Sequence, residues 1–311
     1  MAGTVDQKLV LAGVETAYNV DPALSATANA ILTTGFTLTP LQADGAERNL
    51  DTPDVGNTPS FKSGLRTQAQ FGVEAAGSGV AGTAPAWGVL MRSAGLSETI
   101  DATVGAEKVT YAPLADLDQA ESVYQYLYWG NTLHKMGGAR GSLSLEWASG
   151  QVPLIKFQMT GLFGPVADNT LPSADYSAFT APLPANATNT PVFTINGVAV
   201  PLQALTFNQQ AEVVYANRTG LERVAIVRMR PTLEVTVEAV ALSGLDPFAL
   251  YQSRAQVPVV LQHGTSAGNI VEFQADNCEI EEPTYENLAD GRIGWKLPMR
   301  PIGSTWRIIA R

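Results

Sequence analysis

Apolar and polar residues alternate along much of this chain, as they do in strands that bury one face and leave the other wet. Between positions 65 and 74, Leu65, Thr67, Ala69, Phe71 and Val73 point one way while Arg66, Gln68, Gln70 and Glu74 point the other. Leu143, Leu145 and Trp147 alternate with Ser142, Ser144 and Glu146, and Ile155, Phe157 and Met159 with Lys156, Gln158 and Thr160. The Ala148-Ser149-Gly150 stretch between them supplies turn chemistry, so a hairpin is predicted there. Two segments break the period and carry helix boundaries. In the first, Thr83 can cap, Pro85 sits near the first turn, Trp87, Leu90, Met91 and Ala94 share a face, and Gly95 can end the helix. In the second, Asp246 caps, Pro247 opens, and Phe248, Leu250 and Tyr251 form the apolar side through to about Arg254.

The order of these elements repeats. Arg66 to Ala75, ending Val73-Glu74-Ala75, is echoed by Arg230 to Ala239, ending Val237-Glu238-Ala239. Each runs into a Pro-opened helix, then further strands, then a late strand: Lys156-Phe157-Gln158-Met159 in one half, Lys296-Leu297-Pro298-Met299 in the other. This predicts an amino-terminal arm over residues 1–35, a first unit over 36–163, a linker over 164–191 rich in Pro, Ala, Asn and Thr, and a second unit over 192–311. The linker's roughly 28 residues could span on the order of 90 Å when extended, enough to join two units side by side. Pro40 to Ser63 and its counterpart Gln209 to Ala225 read as long irregular loops, which usually have a job.

Composition narrows the function. The formal net charge is −10, with 19 Lys and Arg and no basic run, so tight wrapping of nucleic acid is not expected. The single Cys278 rules out an internal disulfide, and cytoplasmic folding is the expectation. The first residues carry Asp6 and Lys8 without an apolar core of signal-peptide length, and no apolar run reaches membrane-spanning length. The sequons at Asn186 and Asn217 then read as chance.

Catalytic, cofactor and metal sites are not evident. His134 and His263 lie in different halves beside turn glycines, outside any metal-spaced cluster, and fit surface or strand-end roles. No serine sits in a nucleophile elbow. The stretch from Gly77 through Gly82 follows a strand and precedes a helix but lacks the Gly-Lys-Ser/Thr ending of a phosphate loop; it reads as a flexible connection. Glu279 to Glu282 lack the alternating pattern of a calcium loop and read as a solvated strand face. Cys278 reads as a small buried apolar residue. Tyr124, Tyr126 and Tyr128 share a strand face without interleaved cations, which suits a core or subunit contact better than a base-stacking platform.

One resemblance organises these observations. Leu9 through Tyr18, Asp21-Pro22, Leu38 through Asp44 with Glu47-Arg48, Gly82 through Gly88, Tyr111-Ala112-Pro113, Gly138-Ala139-Arg140-Gly141, Pro153 through Phe157, Thr160-Gly161-Leu162, His263-Gly264-Thr265 and Gly268-Asn269-Ile270 together resemble the tail tube (major tail) proteins of siphophages and related prophages. The resemblance runs over nearly the whole chain and rests on the shared order of the stretches. It implies a mainly β fold: two tandem tail-tube-type β-sandwich or barrel units, each with one short flanking α-helix, building a closed β-barrel tube on oligomerisation. Family members with one such domain form six-membered rings, so two units per chain imply a trimeric ring with pseudo-sixfold symmetry, trimer favoured over hexamer. Implied partners are further copies of the chain, a tape measure protein, tail terminator and distal tail proteins, and transient non-specific double-stranded DNA. The implied location is the virion tail, assembled in the host cytoplasm. Candidate lumen-facing residues are Gln68, Gln70, Glu74, Glu146, Glu234, Thr236 and Glu238. The family's locking role for arms and long loops falls on residues 1–35, Pro40 to Ser63 and Gln209 to Ala225, with ring-stacking candidates Asp44, Glu47, Arg48, Asp51, Asp54, Tyr215, Arg218 and Arg223. Two rival readings stay open at this point: a receptor- or carbohydrate-binding β-rich tail component, and an enzyme whose side chains cluster only in the fold.

Overall fold

A computed structural model describes residues 4, 6–48, 50, 51, 53 and 56–311. The alternating segments form strands β1 (Lys8–Val14), β2 (Ala30–Ile31), β3 (Thr34–Glu47), β4 (Ser60–Glu74), β5 (Leu96–Asp101), β6 (Lys108–Pro113), β7 (Val123–Trp129), β8 (Thr132–Ala148) and β9 (Leu154–Asp168). In the second half come β10 (Val192–Ile195), β11 (Val198–Ala199), β12 (Leu202–Asn208), β13 (Ala211–Arg218), β14 (Leu221–Met229), β15 (Thr232–Glu238), β16 (Gln256–His263), β17 (Val271–Ile280), β18 (Thr284–Asn287), β19 (Ile293–Pro301) and β20 (Trp306–Ala310). The helices are α1 (Gly88–Ser93) and α2 (Pro247–Ser253).

All strands but the β13–β14 pair join one hydrogen-bonded sheet. Its central run is β3–β4–β9–β8–β12–β15–β19–β18, four strands from each half, every neighbour antiparallel. Strand β8 belongs to two layers. Its first half pairs with β7, which carries β1, while its last residues, Ser144 to Ala148, pair with β12. The remaining strands run β11–β10–β16–β17–β20–β6–β5 and fold over the central run, so β20 from the second half lies between β17 and the first half's β6. The core fills the space between. Phe207 of β12 packs its ring 4.8 Å from Phe273 on β17 and 4.7 Å from Trp306 on β20.

The repeated sequence stretches occupy repeated pairings. In the first half Gly72 faces Lys156, Phe71 faces Phe157 and Ala69 faces Met159; in the second Thr236 faces Lys296, Val235 faces Leu297 and Leu233 faces Met299. The hairpin partner follows the same rule, with Ser144 opposite Lys156 and Thr284 opposite Lys296.

Several expectations need revision. Pro40 to Ser63 is not an irregular loop: β3 and β4 stay paired out to Glu47 and Ser60, with register shifts that let an extended hairpin twist. Gln209 to Ala225 falls largely in the β13–β14 hairpin. Helix α1 starts a turn late, at Gly88, with Trp87 rather than Thr83 at its amino end and no side-chain cap. Its predicted face is nonetheless buried, and the Trp87 indole N–H donates to the Ala76 carbonyl. Asp246 caps α2 through the Phe248 and Ala249 amides, but Tyr251 of its apolar side is exposed, as is Leu65 on β4. Within residues 1–35, β1 is a paired inner strand with Leu9 to Ala12 buried, because its apolar run satisfies two layers at once. Strand β9 runs on through Asp168, and the rest of the 164–191 stretch is docked: Thr180 donates to the Gly77 carbonyl and Asp175 N–H to Ala26.

The glycines from 77 to 82 are the clearest departure. Gly77 N–H is bound by the Asn269 side chain and Gly79 N–H by the Gly268 carbonyl, so this stretch is a close backbone seam between the halves and not a flexible connection. A Cβ on Gly77 would lie 2.1 Å from the Gly268 oxygen, a separation no side chain tolerates.

The three tyrosines of β7 form a second small core with Leu9, Leu11, Ala26, Ala30 and Leu133. It is closed by Asp21, which accepts hydrogen bonds from Tyr126 at 2.8 Å and Lys135 at 2.7 Å. Burial pushes Asp21 up, but the Lys135 and Tyr126 hydrogen bonds more than offset it and hold the carboxyl below its ordinary value. A depressed carboxylate stabilises the fold above its unfolded-state value, near pH 4, and that contribution disappears as pH falls through the lower folded value. Amide-exchange protection over residues 21–30 is therefore expected to hold from neutral pH down to about 4 and to fall below it. Asp21→Asn is expected to flatten that dependence; an unchanged profile in the variant would assign the transition elsewhere.

Candidate functional site

Residues directly opposite one another across a sheet share a face. One register row runs Glu74, Leu154, Glu146, Thr206, Glu234 and Pro298 across six strands. Gln158 lies opposite both Gln70 and Ser142, and Thr160 opposite both Gln68 and Arg140; Thr236 opposes Ala204 and Lys296; Glu238 opposes Gly294. The structure thus brings Gln68, Gln70, Glu74, Glu146, Glu234, Thr236 and Glu238 onto one face of a single continuous sheet. The opposite face, carrying Phe71, Val73, Phe157, Leu145, Trp147, Leu205, Phe207, Val235 and Leu297, is buried in the core.

The polar face also holds groups that alternation alone did not single out. Lys156 Nζ lies 2.6 Å from Glu146, Lys296 Nζ 3.0 Å from Glu234, and Arg292 3.1 Å from Glu238. These pairs are half-exposed and contribute little stability. Their consequence is electrostatic: three of the four carboxylates are locally neutralised, so the face is polar with a muted field rather than uniformly acidic. Glu74 has no ion pair among the described residues and is the free negative charge in its row. The lysines were legible as strand residues, but their pairing across β8–β9 and β15–β19 depends on register.

The ring-stacking candidates divide between the two hairpin arms, β3–β4 and β13–β14. Asp44 pairs with Arg66 at 2.9 Å, and the Arg66 guanidinium stands 5.4 Å from the centre of the Tyr215 ring, so the two arms lean on each other. Tyr215 donates to Glu222 at 2.5 Å; burial and that carboxylate push its hydroxyl up to about 12. Arg48 sits over Phe61 beyond the end of β3, and Asp51, Arg218 and Arg223 are exposed. Glu47 pairs with Ser60 through its backbone, while its side chain and Asp54 lie outside the described residues.

Sequence reasoning missed the clamp that seats the second arm. Arg140 donates to the Ala120 carbonyl at 2.6 Å and the Val224 carbonyl at 2.7 Å, while Val224 N–H donates to the Tyr18 hydroxyl. Burial lowers the Arg140 value. Tyr18 and Arg140 both belong to stretches that carried the resemblance, the only hint available from sequence.

Most of the other titratable groups singled out from the sequence are held by structural partners or by burial. His263 is buried, with Nδ1 2.9 Å from the Thr190 hydroxyl and Nε2 3.1 Å from the Leu183 carbonyl; burial lowers its value, so the neutral ring pins the docked 164–191 stretch. His134 is partly buried on β8 with its value lowered by burial. Cys278 is buried and its thiol pushed up to about 12 by that burial, with Asp276 adding to it. Arg300 lies 2.8 Å from Glu279 and holds that carboxyl below its ordinary value. Among the described residues no three His, Cys, Asp or Glu side chains converge as metal ligands, and no helix is long and apolar enough to cross a membrane.

What these features add up to is a broad, repeated wall with one polar and one buried face. Comparison with known families agrees: the phage tail tube protein family matches residues 6–291. The chain belongs to that family. It is a structural protein of the phage tail, a tail tube subunit that self-assembles into a tube. No individual curated protein matches it. As a tail tube subunit it presents a mainly β sandwich whose barrel is not closed within one chain.

Proposed function

We propose that three copies of this chain close into a ring of pseudo-sixfold symmetry, that rings stack into the tail tube of a siphophage, and that DNA passes along the lumen during ejection. The observation that carries this reading is the central sheet with its repeated register, which supplies two equivalent four-stranded walls per chain. The polar face turns to the lumen. Paired Lys and Glu side chains, amides and threonines there offer DNA neither a run of cations to bind nor apolar steps to stick to, so the duplex slides without sequence-dependent pauses. The two hairpin arms lock one ring to the next, with Asp44, Arg48, Tyr215, Arg218 and Arg223 at the contacts. The tube is built in the host cytoplasm around a tape measure protein and is capped by terminator and distal tail proteins. The chain's role is mechanical and not enzymatic.

Negative-stain imaging of the purified protein is expected to show hollow tubes or rings; discrete solid particles at every concentration would oppose the reading. The double variant Glu74→Lys, Glu238→Lys adds cations to the polar face, frees Arg292 and is expected to leave tubes intact while slowing DNA delivery. Normal infectivity of phage carrying it would remove the lumen assignment.

A further inference from the structure

The chain contains one finished junction between its halves and the two separated parts of another. In the finished junction β8 pairs with β12, with Glu146 opposite Thr206, Leu145 opposite Phe207 and Ser144 opposite Asn208. The repeat supplies a counterpart for each strand. Strand β18 takes the place of β8, since Thr284, Tyr285 and Glu286 face Lys296, Trp295 and Gly294 as Ser144, Leu145 and Glu146 face Lys156, Ile155 and Leu154. Strand β3 takes the place of β12, since Thr37, Leu38 and Thr39 face Gln70, Ala69 and Gln68 as Thr206, Phe207 and Asn208 face Glu234, Leu233 and Thr232. Both β18 and β3 are edge strands, each paired on one side only among the described residues, by β19 and β4.

Burial follows the same division. Leu145 in the finished junction is 0% exposed, whereas its counterpart Tyr285 is 69% exposed. At the finished junction the β13–β14 arm also closes over the end of α1: Ile226 and Met229 crowd Gly95, and Gln209 donates to the Ala94 carbonyl. The end of α2 has no such cover, leaving Tyr251 and Leu242 exposed. The β3–β4 arm, counterpart of the covering arm, projects Leu41 and Phe61 at 51% and 61% exposure where Val224 and Ile226 are buried. A bare strand and helix at one end of the chain thus match a bare strand and arm at the other, a head-to-tail arrangement that closes when copies repeat around an axis. Unpaired apolar edges of this kind otherwise invite uncontrolled association.

We infer that β18 of one copy pairs antiparallel with β3 of the next, in the register Glu286 opposite Thr37, Tyr285 opposite Leu38 and Thr284 opposite Thr39, with the next copy's β3–β4 arm covering α2. This rests on the tube reading and specifies the seam through which the ring closes. Residues opposed across an antiparallel pair lie about 4.5–5.5 Å apart at Cα, inside the roughly 4.4–6.8 Å that a disulfide needs. The double variant Thr37→Cys, Glu286→Cys is the test, because the native Cys278 is buried and silent. After mild oxidation of assembled tubes, a non-reducing gel is expected to show most of the protein as covalent multimers, lost on reduction and absent from either single variant. Thr39→Cys with Glu286→Cys, displaced by two positions, is expected to cross-link poorly. Tubes that form without cross-links, or that cross-link only in the displaced pair, would overturn the seam and leave the tube reading intact; wild-type protein that never forms rings or tubes removes both. Tyr285→Lys gives an independent reading. Its side chain is largely exposed in the single chain, its ring meeting only Phe248 at 5.9 Å among the described aromatic rings, so the variant is expected to fold with at most a small drop in melting temperature and to lose ring formation. Normal rings from that variant would also overturn the seam.

Discussion

Phe207→Ala is expected to lower stability by about 3–5 kcal/mol, the range for removing a large aromatic from a packed core. Phe207 is fully buried on β12, the strand where the second half joins the first, and its ring touches Phe273 and Trp306 on the covering layer. Its loss therefore opens a void at the crossing of both halves and both layers, with two aromatic contacts replaced by empty space. At roughly 2–4 °C per kcal/mol for a chain of this size, the melting temperature falls by on the order of 10 °C. Phe207→Leu, which keeps most of the volume, is expected to cost under about 1.5 kcal/mol. Equal melting temperatures for wild type and the alanine variant would mean that the junction is not packed as described.

Gly268→Ala is expected to be nearly as damaging for a different reason. Gly268 has φ of +85°, and an added Cβ would come within 2.4 Å of the Gly79 carbonyl carbon, 2.5 Å of its oxygen and 2.7 Å of Val80 N. Backbone atoms cannot rotate away as a side-chain tip can, so residues 77–80 and 264–269 must separate. Gly220 supplies the control, since its φ is +81° with nothing within 4 Å of the added atom. Gly220→Ala is expected to cost about 1 kcal/mol for the backbone conformation alone. Gly268→Ala adds the collision, for a total of roughly 3 kcal/mol or more. Chemical denaturation gives the difference, and amide exchange over residues 77–82 locates it. Equal losses in the two variants would show that the close approach carries no energy.

Much of the fold was readable because burial on one face imposes a period. The buried series of β4, β8 and β9, the hairpin at Ala148 to Gly150 and the Asp246 cap all follow from residue type at fixed spacing. The polar candidates shared a face for the same reason, since alternation within each strand and pairing between strands leave one common side. What sequence could not supply was register. Whether Lys156 meets Glu146, or Arg140 reaches Val224, depends on how strands far apart in sequence line up. The Gly77 to Gly82 stretch misled because glycine signals either freedom or crowding, and only the presence of Gly268 and Asn269 decides between them. Pro40 to Ser63 misled because its prolines and acids break the alternation while the strands still pair around bulges. Tyr285 reads as an ordinary strand residue; its exposure becomes informative only beside the buried Leu145.

The sharing of β8 between two layers has a mechanical consequence. Its hydrogen bonds hold β7 on one stretch and β12 on the next, while β9 runs along its whole other edge. Hinging one half against the other would shear both layers at once, so a single chain behaves as a rigid stave. In the proposed tube, staves joined by a β18–β3 ladder are stiff too, so a curving tail would yield between successive hoops, where hairpin tips can slide without tearing a ladder.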